Sequence, residues 1–361
     1  MLLESQRNHL QQTETSDTSH ANSCYRVGEL FSGAGGLSLG GHLASIGSSG
    51  FRHIWVNDID PDSCRTISEN LSIPPEHVYC CPVESLDMSE LKRVDGMAFG
   101  FPCNDFSVVG ERQGIQGKFG GLYRWCVKAL QTLQPTFFVA ENVGGMASSG
   151  KKRDMDRILT ELGSAGYEIH PHLYRFEKYG IPQARHRIII VGFLRTLRID
   201  FHPPQPSPNV VMATCRDALK DIPIDAPNHE FARQTSRVVE RLNHIKPGQN
   251  AFTANIPENL RLKMRSGAKI SQIYKRLKPD APAYTVTGSG GGGTHIYHWK
   301  EPRSLTNRER ARLQTFPDNY RFFGSRESVR KQIGMAVPPL GAKIIFTAVL
   351  RTLLEHDIAP L

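Results

Sequence analysis

Short apolar runs recur through the first 193 residues, and they constrain most strongly what this chain can fold into. They cover residues 25–31, 53–57, 97–99, 136–140 and 188–193. Glycine or polar residues bound each run, and a stretch with helical periodicity, 154–165, lies between two of them. Continuous apolar strands alternating with helices are typical of sheets buried on both faces. The pattern predicts an α/β fold with a doubly wound, mostly parallel sheet.

The first apolar run leads into a glycine-rich turn, Gly33-Ala34-Gly35-Gly36, and a helix is expected to follow it. Glycines let a ligand approach the backbone, and the N–H groups at a helix start face an anion. Ser38 stands where the third glycine of a dinucleotide-binding fingerprint would be, so a nicotinamide dinucleotide is a poor match. Taken alone, the motif could be merely a tight turn.

Asp58 directly follows the second run. It lies about 20 residues after the glycine turn, a spacing at which a carboxylate binds the ribose hydroxyls of an adenosine ligand. The alternative role, capping a helix, suits Asp60 before Pro61. The turn and Asp58 together predict a pocket for an adenosine-containing ligand.

Cys103 follows the third run, within the stretch Gly100-Phe101-Pro102-Cys103. The proline fixes its own φ and disfavours helical geometry at Phe101, so a stiff loop presents the thiol. Ligands of open α/β sheets bind at such strand ends. The alternative is a buried, inert cysteine.

Two more strand ends carry charged side chains. Glu141 follows the fourth run, where it could act chemically or cap a helix, and Arg185 and Arg187 precede the last run. Alternate residues of an extended chain share a face, so the two guanidiniums are expected to point the same way. Guanidiniums at the edge of a buried strand need an anion or a carbonyl as partner.

Composition narrows the class of partner and the compartment. The 361 residues carry 44 Lys plus Arg against 35 Asp plus Glu, a net charge of +9, which suits an anionic partner without identifying it. Seven cysteines include no C-x-x-C pair, which argues against disulfides and zinc and predicts no metal. Because we find neither a secretory signal nor a run of ~18 apolar residues, we expect a cytoplasmic protein without a membrane partner.

The stretches GFPCNDFS, ENV and QARHR, in this order after FSGAGG, resemble the core motifs of the cytosine-C5 DNA methyltransferases. Two later stretches, 303–318 and 332–339, also fit. The motifs cover residues 25–193 and 303–361, well over half of the chain. The resemblance implies the Rossmann-like fold of S-adenosylmethionine-dependent methyltransferases. It also implies a bacterial restriction-modification enzyme that methylates C5 of a flipped-out cytosine in double-stranded DNA.

The resemblance and the composition together predict the domain organisation. Residues 1–23, which are polar, are expected to be a disordered tail. The catalytic domain is expected over 24–196, with a C-terminal return over 326–361. Prolines from position 203 onward and a basic run over 261–278 mark the part between, 197–325. This part is predicted to be a smaller, irregular and partly β target-recognition domain.

The resemblance assigns roles to the residues that match its motifs. Cys103 would add to C6 of the cytosine, Glu141 would bind N3 and the exocyclic amine, Arg187 would stabilise charge at O2, and Arg185 would hold the loop or a flanking phosphate. S-adenosylmethionine is the implied cofactor. The implied cofactor-binding residues are Phe31, Gly33, Gly35, Gly36, Asp58, Ile59 and Leu122.

The resemblance also implies residues that contact DNA. They are Ser107, Gln183, Lys275, Arg276, Thr285, Gly291 and Gly292. Lys275 and Arg276 fall on the first recognition loop and the glycines on the second, although either cation could touch phosphate alone. We expect a monomer that is functionally paired with a restriction endonuclease.

Three positions depart from the family pattern, and two alternatives stay open. Asn104 replaces the usual Gln, Met335 replaces an Asn, and Pro82 falls where an acidic contact to the adenine is expected. The alternatives are a tRNA cytosine-5 methyltransferase of the same fold and a catalytically impaired DNA-binding relative.

Overall fold

The computed structural model describes residues 23–101, 121–143, 152–262, 272–288 and 294–361. The expected N-terminal tail therefore lies almost entirely outside the described residues, as do Cys103, Asn104, Ser107, Gly291 and Gly292.

The first half of the chain alternates strands and helices. In chain order these are β1 (Cys24–Leu30), α1 (Gly36–Leu43), β2 (Ser45–Ile46), β3 (Ser49–Asp58), α2 (Pro61–Leu71), β4 (Val78–Cys80), β5 (Gly96–Phe99), α3 (Tyr123–Leu133), β6 (Phe137–Val143), α4 (Lys152–Ser164), β7 (Tyr167–Arg175), β8 (Gln183–Ala184) and β9 (His186–Leu194). The helix expected after the glycine turn is α1, and Asp60 caps α2 by accepting from the N–H of Ser63.

The second half is mostly irregular until its last helices. It contains α5 (Cys215–Leu219), α6 (Ser236–Asn243), β10 (Ala283–Tyr284), α7 (Asn307–Leu313), α8 (Arg326–Met335) and α9 (Pro339–Glu355). Strand β10 pairs in parallel with β8, so this half is joined to the first by backbone hydrogen bonds.

An eight-stranded sheet has the order β2-β3-β1-β5-β6-β9-β7, with β4 beside β3. Strands β4, β3, β1, β5 and β6 run parallel to one another, as expected. Strand β9 runs antiparallel to both β6 and β7, and the short β2 runs antiparallel to β3. The sheet is therefore mixed, because the connection from β7 to β9 is short and makes these two strands antiparallel.

Strand β5, in the middle of the sheet, is apolar throughout because helices cover both faces of the sheet. On β5, Met97 and Phe99 pack on one face with helices α3 and α4, whereas Ala98 packs on the other with α1 and α9. This alternation follows the two-residue period of a strand. The residues between Arg326 and Glu355 are apolar and long enough to cross a membrane, but 67% of the apolar window is buried in the fold. We therefore assign them to the core.

The region between the sheet and α7 has two core clusters. One combines Ala218, Leu277 and Val286 with Leu39 of α1 and Ile333 of α8. The other is local and contains Leu242, Ile245, Ile256, Leu260, Ile273, Tyr274 and Tyr297. Part of this region thus packs on itself, and part packs on the helices around the sheet.

Candidate active site

The carboxyl ends of four parallel strands lie side by side. Leu30 pairs with Asn57 on one side and with Phe99 on the other, and Phe99 pairs with Ala140. The residues that directly follow these four in the chain are Phe31, Asp58, Gly100 and Glu141. The sheet thus brings together the glycine turn, the expected ribose ligand, the start of the cysteine loop and the expected catalytic carboxylate.

Asp58 is tied to the glycine turn. Its Oδ2 accepts from the N–H of Gly33 at 2.8 Å, and its Oδ1 accepts from the N–H of Asp60 at 2.9 Å. Burial raises the pKa of the Asp58 carboxyl, and the two backbone N–H groups oppose that shift. The carboxylate therefore fixes the turn at the place where the adenosine-containing ligand is expected.

The three glycines assigned to the cofactor have different surroundings. Gly33 (φ 52°) has open space where a Cβ would be. A Cβ on Gly35 (φ 78°) would lie 2.8 Å from Tyr320 Oη, and one on Gly36 would lie 2.3 Å from the Val337 carbonyl oxygen. Gly33 therefore leaves room for a ligand, whereas Gly35 and Gly36 leave room for the C-terminal part of the fold.

Apolar side chains surround the turn. Phe31 (φ 55°) and Leu122 are half-buried against the core beneath the sheet edge, and Ile59 is 67% exposed. An exposed isoleucine, a carboxylate and a bare backbone fit the adenine, ribose and methionine parts of S-adenosylmethionine. Pro82 and Glu84 are both exposed, and the side chain of Asn57 instead donates to the carbonyls of Tyr79 and Cys81. The adenine amino group therefore remains without an assigned carboxylate partner.

Glu141 and Arg187 form the ion pair at the centre of this edge. The Nε of Arg187 lies 2.6 Å from Oε1 of Glu141, and the two side chains are 13% and 12% exposed. Arg187 Nη1 also donates to the His186 carbonyl at 2.7 Å. A Cβ on Gly100 would lie 3.4 Å from Glu141 Oε2, so the carboxylate faces the start of the cysteine loop.

Arg185 is placed differently from Arg187. It lies between β8 and β9, is 1% exposed, and donates to the carbonyls of Val286 (3.0 Å) and Met335 (3.3 Å). The two guanidiniums therefore have different partners. Of the roles offered by the resemblance, holding the neighbouring chain segments fits this geometry.

Gln183 is buried, contrary to its expected place among the DNA contacts. Its Nε2 donates to the Leu313 carbonyl and to Gln314 Oε1, and its Oε1 accepts from the Val286 N–H. Thr285 donates through Oγ1 to the Ala184 carbonyl at 2.8 Å. These bonds join β8 to the segment around β10 and leave Gln183 no surface to present to DNA.

Arg276 requires the same correction. It is 6% exposed, and its guanidinium makes five hydrogen bonds, to the carbonyls of Leu242, Ile245, His298, Trp299 and Glu301. Five N–H groups are all that a guanidinium has. Arg276 therefore has no donor left for a base or a phosphate. Lys275 is half-buried, with its Nζ 4.7 Å from the centroid of the Tyr284 ring, and it stays a candidate contact.

Several further residues shape the site without a signal in the sequence. Tyr320 is buried and donates to the Ala34 carbonyl at 2.7 Å, so the C-terminal region holds the glycine turn. Behind the turn, Ser38 donates to Glu29, whose carboxylate lies 3.3 Å from His53 Nε2. No local pattern signals the Tyr320 contact, because 286 residues separate the two partners.

The comparisons with known proteins agree with this arrangement. The model of the C-5 cytosine-specific DNA methylase family matches residues 25–351. The chain belongs to this family, and it is a DNA (cytosine-5-)-methyltransferase.

Individual relatives match along most of their length. The chain is 53% identical over 342 residues to the Type II methyltransferase M.BbvI of Brevibacillus brevis, covering 91% of each protein. It is 35% identical over 334 residues to the Type II methyltransferase M.NgoFVII of Neisseria gonorrhoeae, covering 90% of this chain and 86% of that protein. A solved structure, a DNA modification methyltransferase encoded within an E. coli prophage, shares the fold. Its TM-score is 0.70 at 23% identity, over 91% of this chain and 99% of that chain.

Proposed function

We propose that the chain transfers a methyl group from S-adenosylmethionine to C5 of a cytosine that is extruded from double-stranded DNA. The observation that carries this proposal is the Glu141–Arg187 ion pair beside Gly100, at the strand ends where the glycine turn and Asp58 also lie. This arrangement groups the glycine turn, the carboxylates of Asp58 and Glu141 and the start of the cysteine loop at one sheet edge.

Phe31, Gly33, Asp58, Ile59 and Leu122 would hold the cofactor. Asp58 would accept hydrogen bonds from the ribose hydroxyls, and Phe31 and Ile59 would pack on the adenine. Bound there, S-adenosylmethionine supplies an electrophilic methyl group. Gly35 and Gly36 would act indirectly, by letting Tyr320 and Val337 approach the turn.

Cys103, Glu141 and Arg187 would activate the base. C5 of cytosine is a weak nucleophile, and addition of the Cys103 thiolate to C6 makes C5 enamine-like. Glu141 would hydrogen-bond N3 and the exocyclic amine and share a proton as the ring gains negative charge. Arg187 would fix the Glu141 carboxylate and stabilise charge at O2. Once C5 carries the methyl group and S-adenosylhomocysteine has left, loss of the C5 proton to a base and expulsion of the thiolate would restore the ring.

The part between the sheet and α7 would recognise the DNA target. Extrusion of a base costs a few kcal/mol, and phosphate contacts can offset it. Lys275 and Thr285 lie in this part, and the glycine loop with Gly291 and Gly292 would contribute bare backbone. We further propose a cytoplasmic monomer that works in restriction-modification beside an endonuclease, as the Type II names of the relatives suggest.

The test is methyl transfer from radiolabelled S-adenosylmethionine to duplex DNA and, separately, to tRNA. We expect label in the DNA alone, at C5 of cytosine after nucleoside digestion. Label in tRNA alone would favour the RNA-directed alternative, and label in neither would favour the catalytically impaired one. Bisulfite sequencing of the methylated DNA then reads out the recognised site.

A further inference from the structure

A polar cavity of about 420 Å³ lies between helices α7 and α8 and the segments that carry the expected recognition loops. Arg310 of α7, Arg326 and Arg330 of α8, and Arg233 line it. Glu230 is the one acidic residue among the described residues of its lining. We call this cavity the arginine cleft.

Arg310 is the most unusual residue of the arginine cleft. It is 2% exposed, yet within the described parts of the chain its guanidinium has no hydrogen bond and no ion pair. Its neighbour Arg308 is equally buried but donates to three main-chain carbonyls, those of Pro227, Pro317 and Tyr320. The fold therefore satisfies the donors of Arg308, whereas no hydrogen bond to another described residue uses those of Arg310.

Arg330 adds a second unsatisfied donor. Its Nη2 pairs at 2.8 Å with Glu327, which is 82% exposed, but its Nε is buried without a described partner. Burial, and then the charge of Arg330, lower the pKa of Arg310 to about 10, which leaves it charged at neutral pH. Two neighbouring cations, of which Arg310 is almost fully buried and Arg330 has a buried Nε without a described partner, are costly unless an anion joins them.

We propose that the arginine cleft binds a phosphate of the DNA backbone, with Arg310 and Arg330 donating to its oxygens. This inference rests on the proposed function. Guanidinium groups match the geometry of phosphate, and phosphate contacts contribute much of the affinity of DNA-binding proteins.

The position of the arginine cleft favours DNA over a free anion as the source of that phosphate. Tyr274, which lines the cleft, directly precedes Lys275, and His295 follows Gly293 by two residues. Both expected recognition loops therefore adjoin the cleft along the chain. Burial lowers the pKa of His295 to about 4, so this side chain is neutral at pH 7 and can donate to an anion without adding charge.

The test is the salt dependence of DNA binding. Arg310→Met and Arg330→Gln remove one cation each, and Arg351→Gln, at an exposed position of α9, is the matched control. Fluorescence anisotropy with a labelled duplex would give affinity at several salt concentrations. We expect each cleft variant to lower the slope of log affinity against log salt by about one, and the control to keep the wild-type slope. Wild-type slopes in both cleft variants would overturn the proposal.

Two further measurements make the result decisive. Thermal unfolding shows whether Arg310→Met folds, and if it does not, the partly exposed Arg330→Gln variant alone decides. Calorimetry with inorganic phosphate distinguishes a free anion from a DNA phosphate. If wild-type protein binds phosphate, Arg330→Gln abolishes that binding, and the salt slope of DNA binding is unchanged, the arginine cleft binds a free anion. That result would overturn the DNA contact. Methyl transfer by the wild-type protein is measured separately, so a failure of the proposed function is distinguishable from a failure of the cleft.

Discussion

At the residue scale, the ion pair of Glu141 and Arg187 defines the chemistry that this sheet edge can perform. Both side chains are mostly buried, and their 2.6 Å contact leaves Glu141 Oε2 turned toward Gly100. Because Arg187 holds Oε1 while Oε2 faces Gly100, the carboxylate can hydrogen-bond a ring nitrogen from one defined direction. Effective general acid–base catalysis requires such fixed geometry.

We therefore expect Glu141→Gln to lower kcat for DNA methylation by about 100-fold or more, because the amide cannot share a proton with N3. The neighbouring Glu177→Gln is the matched control: Glu177 pairs with His186 at 2.8 Å but lies outside the site. Steady-state kinetics with both variants is the measurement. Equal losses in the two variants, or full activity of Glu141→Gln, would remove Glu141 from the mechanism.

Asp58 offers a second residue-scale prediction. Removing its carboxylate in Asp58→Ala deletes two acceptors, each worth ~0.5 to 1.5 kcal/mol, so we expect the Kd for S-adenosylmethionine to rise by about tenfold. Asp60→Ala, two residues away, should destabilise the α2 cap without changing that Kd. Calorimetric titration distinguishes the two, and an unchanged Kd in Asp58→Ala would place the ribose contact elsewhere.

The surroundings of a residue could be predicted from the sequence where they depend on local structure, and not where its hydrogen-bond partners lie far away along the chain. The placement of Asp58 and Glu141 directly after apolar runs could be predicted, because the end of such a run is a local property, although β6 continues past Glu141 to Val143. The burial of Gln183 and Arg276 could not, because the carbonyls that Arg276 binds range from Leu242 to Glu301. A basic run looks the same whether its cations face solvent or hold the chain together.

At the element scale, the apolar runs predicted strands well but not their directions. The run 188–193 became β9, which is buried on both faces, so nothing in its composition reveals that it runs antiparallel. Strand β7 has no apolar run, because it is an edge strand containing Pro171 and two histidines, and we did not predict it. The expected strand 53–57 extends to Ser49–Asp58, since β2 turns back onto its first residues.

Arg276 gives the prediction at this scale, because its carbonyl partners join α6 to the loop after Tyr297. Arg276→Ala would leave five carbonyls without their donor, three of them in buried hydrogen bonds, and we expect the free energy of unfolding to fall by ~3 kcal/mol or more. Lys275→Ala, which loses only the contact with the Tyr284 ring, should cost about 1 kcal/mol at most. Denaturant unfolding compares the two variants directly. A fully stable Arg276→Ala with relaxed site preference would restore it as a base reader.

At the scale of the whole molecule, distant parts of the chain complete the site. Helix α9 packs on α1, Tyr320 holds the glycine turn, and Arg185 joins the strand edge to Met335. The motif order let the sequence analysis anticipate a C-terminal return to the sheet. It could not anticipate which side chains make the connection, since these contacts depend on the final packing of residues up to about 300 positions apart.

The central claim is that Cys103 attacks a cytosine of duplex DNA, and trapping this bond tests it most directly. In DNA with 5-fluorocytosine at the target, the fluorine at C5 cannot leave as a proton does, so elimination stops and the protein stays bound to C6. With S-adenosylmethionine present, we predict a denaturant-stable adduct whose mass includes one methyl group and whose peptide map assigns it to Cys103. Cys103→Ala should give none. An intact protein that methylates ordinary DNA yet forms no adduct, or an adduct at the exposed Cys24 or Cys80, would contradict the account.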